Sequence, residues 1–264
     1  MHNRANSRKN MQNGMMLSSQ RKQTILALLA QEKQVQSRDL SQRFGLSEDS
    51  IRRDLRELAA EGLLQRVHGG ALPVSAALGT FETRKSVQTA SKQIIARKAA
   101  SLIQPGQIVL IDGGTTSAEL VRQLPTTLSF TAVTHSPSVA LALADHPLVE
   151  VILIGGQLYK HSVVAVGAAM LESINRINAD LFFMGVTGVH PAAGLTTGNF
   201  EEATVKRALA GRAAETVVLA SAEKLNSASA FAIGDLSLAS TLVVETEPDE
   251  ALKKALSQHG VTII

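Results

Sequence analysis

From Lys92 to Ile264 the chain alternates helix-like stretches with short apolar runs, and this alternation constrains the fold more than any other feature. The runs fall at 107–111, 128–133, 150–154, 181–186, 216–220, 242–245 and 261–264. Each is too short for a helix. The segments between most of them are long enough to cross over a sheet, whereas a hairpin needs only a tight turn. Strands separated by helices pair in parallel and bury both faces, so the spacing predicts an α/β domain with a mainly parallel sheet over 92–264. No internal repeat or low-complexity block interrupts it.

The preceding residues follow the helical period instead. Ile25, Leu28 and Leu29 form an apolar stripe. A short second helix is expected to open at Ser37 as N-cap and to carry Leu40 and Phe44 inward, and Gly45 stands where a left-handed C-cap is needed. Ser47 is expected to cap a third helix, with Glu48 and Asp49 in its first turn and Ile51, Leu55, Leu58 and Ala59 on its apolar face. Residues 63–72 read as two extended runs around Gly69-Gly70. The expected organisation is a disordered tail at 1–17, a three-helix module with a hairpin at 18–75, a linker at 76–91 and the α/β domain at 92–264. Met11, Met15 and Met16 are alternative starts within the tail.

Charge separates these parts. Residues 1–75 carry a balance of +5 and residues 76–264 a balance of −2. A basic N-terminal module points to a nucleic-acid partner, provided a motif supports it. Two helices, a glycine turn and a third helix supply that motif, and the hairpin after them is the wing of the winged variant. Ser50, Arg52, Arg53 and Arg56 lie off the apolar face of the third helix, where side chains reach base edges or phosphates. Ser37, Arg38, Ser47, Arg66 and His68 complete the expected contacts with double-stranded operator DNA. The plain alternative is that these arginines form the wet face of an amphipathic helix. The agreement of caps, turn, spacing, charge and wing favours the DNA reading.

Other features narrow the function by exclusion. The chain has no cysteine, which removes disulfides, thiol nucleophiles and cysteine-based metal sites. Its seven histidines are scattered without ligand spacing, so neither a metal nor a cofactor is expected. Apolar runs such as Val139–Ala144 fall far short of the ~20 residues that span a bilayer, and the first residues lack a signal-peptide core. A cytoplasmic location is the expectation.

In the α/β domain the first strand runs into Asp112-Gly113-Gly114-Thr115-Thr116 and then a helix. Glycines let backbone N–H groups approach an anion, hydroxyls add donors, and the helix N-terminus supplies positive potential. The sequence is neither GxGxxG nor GxxxxGK[ST], which disfavours dinucleotides and P-loop nucleotides. Loops at His135, at Gly155-Gly156 and at 194–199, with Thr197, follow other strands and converge on the same sheet edge. Lys224, shortly after the run at 216–220, is placed to add a charge there.

The stretch Ser47-Glu48-Asp49-Ser50-Ile51-Arg52-Arg53-Asp54-Leu55, with Glu61-Gly62-Leu63 and Arg66-Val67-His68-Gly69-Gly70-Ala71, resembles the DNA-binding head of DeoR-type transcriptional regulators. Asp112 to Thr116, Gly155-Gly156, Gly185 to Gly188, Gly194 to Ala203 with Glu202, Lys206-Arg207 and Glu223-Lys224-Leu225 resemble the effector domain of the same family. The resemblance implies a fold similar to ribose-5-phosphate isomerase-type enzymes. It also implies a phosphorylated sugar or polyol effector, with the phosphate held by the glycine-threonine loop and Lys224, and a repressor of carbohydrate-metabolism genes acting as a dimer or tetramer. The chain departs from the family pattern at Ser50 (usually threonine), Gly113 (often serine), His135 (usually asparagine), Thr187 and Ser221 (usually aspartate). Those changes alter hydroxyl recognition more than the phosphate anchor. Thr187 is also no general base near neutral pH, so an isomerase is the weaker alternative. A DNA-binding protein whose second domain only mediates assembly is the other.

Overall fold

In the computed structural model the described residues are 17–264, so the tail expectation lies, apart from Leu17, outside them. The chain divides into two compact units, Met1–Pro73 and Val74–Ile264.

The smaller unit contains α1 (Ser18–Glu32), β1 (Val35–Gln36), α2 (Ser37–Phe44), α3 (Glu48–Ala60), β2 (Gln65–Val67) and β3 (Gly70–Leu72). The three short strands pair antiparallel in the order β1-β3-β2. Ile25, Leu29, Leu40, Ile51, Leu55 and Leu58 are buried together, as the helical period requires. Gly45 takes the left-handed conformation at φ +63°, and the Ser47 side chain accepts the Ser50 N–H at 3.3 Å. One expectation is corrected. Gln36, not Ser37, occupies the N-cap of α2, because β1 runs directly into that helix. Arg21 and Asp54 form a buried two-pronged ion pair at 2.5 and 3.0 Å, which pins α1 to α3.

The larger unit begins with a 3-10 turn (Ala76–Leu78), α4 (Phe81–Lys85) and α5 (Thr89–Ala100). The segment expected as a linker is therefore structured here. Phe81 and Ala77 are buried, and the Thr80 side chain caps α4. Its anchors are real but aperiodic, so a search for helical or strand period passes over them.

Next come β4 (Ile108–Ile111), α6 (Thr115–Arg122), β5 (Phe130–Thr134), α7 (Pro137–Leu143) and β6 (Val149–Leu153). They are followed by β7 (Gln157–Tyr159), β8 (Val164–Val166), α8 (Ala168–Ile174), β9 (Ala179–Gly185), β10 (Gly188–His190), β11 (Gly194–Thr197) and α9 (Phe200–Ala210). The chain closes with β12 (Ala213–Leu219), a 3-10 turn (Ala222–Lys224), β13 (Phe231–Gly234), β14 (Thr241–Val243), α10 (Glu250–Gln258) and β15 (Thr262–Ile263). The seven apolar runs form one seven-stranded parallel sheet in the order β15-β14-β12-β9-β4-β5-β6. Alternate residues serve opposite faces, as strand geometry demands. Val109, Ile111 and Phe183 pack with α5, α6 and α7, whereas Leu110, Phe182 and Met184 pack with α8, α9 and α10. A hairpin of β7 and β8 and a small antiparallel sheet β10-β11-β13 lie outside the seven-run pattern. The stretch 194–199, expected as a loop, is largely β11.

Candidate functional site

In the larger unit the carboxyl ends of β4 and β9, the first turn of α6, α9 and the 3-10 turn at Ala222–Lys224 surround one cavity. Gly113 to Thr116 line it, as do Thr197, Glu202 and Lys224. The glycines answer specific constraints. A Cβ at Gly113 would lie 2.1 Å from the Val164 side chain, and Gly114, at φ +119°, turns the backbone into α6. Gly114 gives the helix no side-chain cap, so the orphan N–H groups of the first turn remain available to a ligand.

The expected contacts Asp112 and His135 lie beneath this wall rather than on it. Both are fully buried, and both are held by the protein itself. Asp112 accepts from the N–H groups of Gly113 (2.8 Å) and Gly185 (2.9 Å), bonds His135 Nε2 at 2.9 Å and pairs with Lys206. Burial pushes its carboxyl upward, but the Lys206 charge and the His135 bond together hold it well below the ordinary carboxylate range. The other ring nitrogen of His135 bonds the Ala165 carbonyl at 2.8 Å. Asp112 and His135 thus brace the loop from below. Gly155 and Gly156 are exposed beside β7 and do not line the cavity. A Cβ at Gly156 would lie 2.8 Å from the Val166 carbonyl oxygen and 3.2 Å from the Met170 side chain.

Three cations of the cavity were not among the expected contacts: Arg84, Lys92 and Lys206. Lys206 stands four residues after Glu202 on the same face of α9, a spacing that could have revealed it. Arg84 and Lys92 enter from the segment taken as a linker and from the helix after it, and no local pattern marks them. Lys92 and Lys224 are both buried, and among the described residues neither they nor Arg84 has an ion pair. Burial lowers the pKa of all three, with Lys224 brought down to about 8. Neighbouring Arg84, Lys92 and Lys206 depress Lys224 further, while Glu223 opposes them. Several cations thus crowd one uncovered helix N-terminus, an arrangement that favours an anion.

In the smaller unit Arg52, Arg53 and Arg56 are exposed along α3, as are Arg38 on α2, Arg66 on β2 and His68 in the wing turn. Arg52 is already engaged by Glu48 at 2.6 Å and Asp49 at 3.0 Å. Arg53 and Arg56 have no ion pair among the described residues. The Ser47 and Ser50 hydroxyls lie 3.0 Å apart at the exposed start of α3. Ser37 is withdrawn from this surface: it is buried, and its N–H donates to the Gly69 carbonyl at 2.7 Å.

Sequence comparison assigns both units. The DeoR-like helix-turn-helix domain matches residues 21–76, and the DeoR C terminal sensor domain matches residues 87–246. The chain belongs to the DeoR family. The HTH-type transcriptional regulator GlpR of Haloferax volcanii is 34% identical over 252 residues, covering 94% of this chain and 98% of that protein. The glycerol-3-phosphate regulon repressor of Escherichia coli K12 is 29% identical over 249 residues, covering 94% and 99%. Ribose 5-phosphate isomerase A of Methanocaldococcus jannaschii overlays on 51% of this chain and 53% of its own, with 18% identity and a TM-score of 0.38, a likeness too distant to carry an argument. This DeoR-family chain is a DNA-binding transcriptional regulator with an effector-sensing domain. Among the described residues no helix is long and apolar enough to cross a membrane.

Proposed function

We propose that the cavity of the larger unit holds a phosphorylated sugar or polyol, and that its occupancy controls operator binding by the smaller unit. The observation that carries this reading is the set of Arg84, Lys92 and Lys224, without ion pairs among the described residues, around the uncapped first turn of α6. A phosphate dianion would accept from the N–H groups of that turn and from the hydroxyls of Thr115 and Thr116, with Lys224 as its charged partner. Glu202 and Thr197 are then available for ligand hydroxyls. The likeness to a repressor named for a glycerol-3-phosphate regulon supports a small phosphorylated ligand.

The domain acts as a sensor rather than a catalyst. Proton transfer beside a carbonyl needs a free, positioned base. The oxygens of Asp112 are engaged by four protein groups, and the Thr187 hydroxyl is taken up by hydrogen bonds with the Thr196 carbonyl and the Ser229 hydroxyl. Glu202 and Glu223 are the carboxylates that line the cavity, and Glu223 already accepts from the Ser221 hydroxyl. The test is a thermal-shift screen of pentose, hexose and polyol phosphates, paired with an isomerase assay. Stabilisation by one of them without turnover supports the reading. Turnover lost on Glu202→Gln would overturn it, and absence of stabilisation across the panel would favour a domain that serves assembly only.

The regulator works as a homodimer or a higher oligomer, since symmetric operators need two heads. Leu141 on α7, Leu148, and Ile152 and Leu153 on the edge strand β6 expose large apolar side chains. An uncovered apolar sheet edge is a costly surface in a lone chain, and a second copy would cover it.

A further inference from the structure

The segment 74–87 leads straight out of the smaller unit at Pro73 and is laid against several walls of the cavity. Val74 bridges to Ala228, and the Leu78 side chain sits 2.6 Å from where a Cβ of Gly198 would stand. The Phe81 N–H donates to the His161 carbonyl at 2.9 Å, and the Lys92 ammonium holds the Arg84 carbonyl. Ala77, Leu78, Arg84 and Val87 all line the cavity. Within it, three buried side-chain atoms have no hydrogen-bond partner among the described residues: the donors Arg84 Nε and the Ser117 hydroxyl, and the acceptor Glu223 Oε2. Buried donors are nearly always satisfied, so two orphaned donors on one cation-rich cavity mark the place of an acceptor. Burial lowers the Arg84 pKa, while Glu202 and Asp112 favour its charge from beyond ion-pair contact.

We propose that Arg84 clamps the bound anion from this strap, so that the ligand ties residues 74–87 to the first turn of α6. This inference rests on the reading of the cavity as an anion site. A guanidinium presents a planar fork of donors that matches phosphate oxygens, and its long side chain lets α4 reach an anion held at the first turn of α6. Once clamped, the strap gains a contact beyond the few that hold it against the cavity, so it opens less often than in the ligand-free protein. The segment that carries the DNA-binding unit is then the one whose order the ligand changes, which is an order–disorder route from a small ligand to a remote surface. The Lys224 side of the cavity holds the anion, and the Arg84 side reports it.

Backbone hydrogen exchange on the full chain tests this, with inorganic phosphate as the probe. Saturating phosphate is expected to slow exchange about tenfold both at 113–118 and at 77–87. In Arg84→Gln the slowing at 113–118 should persist and that at 77–87 should vanish, with phosphate bound about tenfold more weakly. Should Arg84→Gln melt well below the wild type in phosphate-free buffer, Arg84→Lys carries the test. It keeps the charge but not the fork, and several-fold weaker binding with reduced protection of 77–87 is expected. Protection at 113–118 in the wild type without any change at 77–87, or equal phosphate affinity in both variants and the wild type, overturns the strap and leaves the anion site standing. No protection at either segment in the wild type refutes the anion site itself.

Discussion

Lys224→Met should stabilise the ligand-free protein and weaken the liganded one. Lys224 is only 7% exposed, has no ion pair among the described residues, and has its pKa lowered from 10.5 to about 8, chiefly by burial. At about 1.4 kcal/mol per pH unit, this drop corresponds to about 3 kcal/mol of cost carried by the charged lysine in the folded state. The sign follows from proton binding. Between pH 8 and pH 10.5 the unfolded chain holds more protons than the folded one, so this cost is fully present below pH 8 and is relieved as pH rises through the window. Methionine fills a similar space without charge, and a gain of about 1–3 kcal/mol is expected at pH 7. For a unit of this size that is a rise of roughly 2–4 °C per kcal/mol in Tm. The same substitution removes a charge-assisted bond to the phosphate, so Kd for the effector should rise at least about tenfold. A phosphate ester is already a dianion well below pH 8. Wild-type affinity should therefore fall as pH rises past 8, while that of the variant stays flat. Thermal melts at pH 7 and pH 9.5 with calorimetric titration read all of this. A variant that melts lower than wild type at pH 7 and binds the effector equally well would refute the reasoning.

Other outcomes follow from the same structure. Arg53→Ala should cost roughly 1–3 kcal/mol at a specific operator and relax the preference at one base if Arg53 reads it, or lower the salt slope if it holds phosphate. Arg52→Ala should cost less, since Glu48 and Asp49 already engage Arg52, and anisotropy titrations at two salt concentrations compare the two. Arg21→Met leaves the Asp54 carboxylate buried without its guanidinium and should destabilise the smaller unit by about 3–5 kcal/mol in urea unfolding. A fragment of residues 74–264 should sediment as a dimer or larger at micromolar concentration, and Leu153→Lys should shift it toward monomer. A monomeric parent fragment would remove β6 as the assembly edge.

The seven parallel strands were legible because burial on both faces writes Val, Ile and Leu into short uninterrupted runs. Ile25, Leu40, Ile51 and Leu55 were legible for the matching reason, a period that only a helix satisfies. The strap was not. Phe81 and Leu78 meet His161 and Gly198, far along the chain, and such contacts leave no period. The glycine-threonine loop showed its chemistry locally, whereas the roles of Asp112 and His135 depended on Lys206 and on the Ala165 carbonyl, which only the fold brings near. Ser37 was misplaced by one residue at a strand-to-helix junction, where an extended N-cap and a strand end look alike. Gly155 and Gly156 were assigned to the cavity from their place after a strand, but the chain turns away there into β7.

The most direct test of the central claim is a titration of operator binding against the sugar or polyol phosphate that stabilises the protein, in wild type, Thr116→Val and Lys224→Met. A ligand regulates only by binding the DNA-competent and DNA-incompetent states unequally. Equal operator affinity is expected for all three proteins without ligand, with a ligand-dependent shift in wild type and a shift displaced to at least about tenfold higher concentration in Lys224→Met. Identical responses in all three would place the phosphate elsewhere and contradict the account.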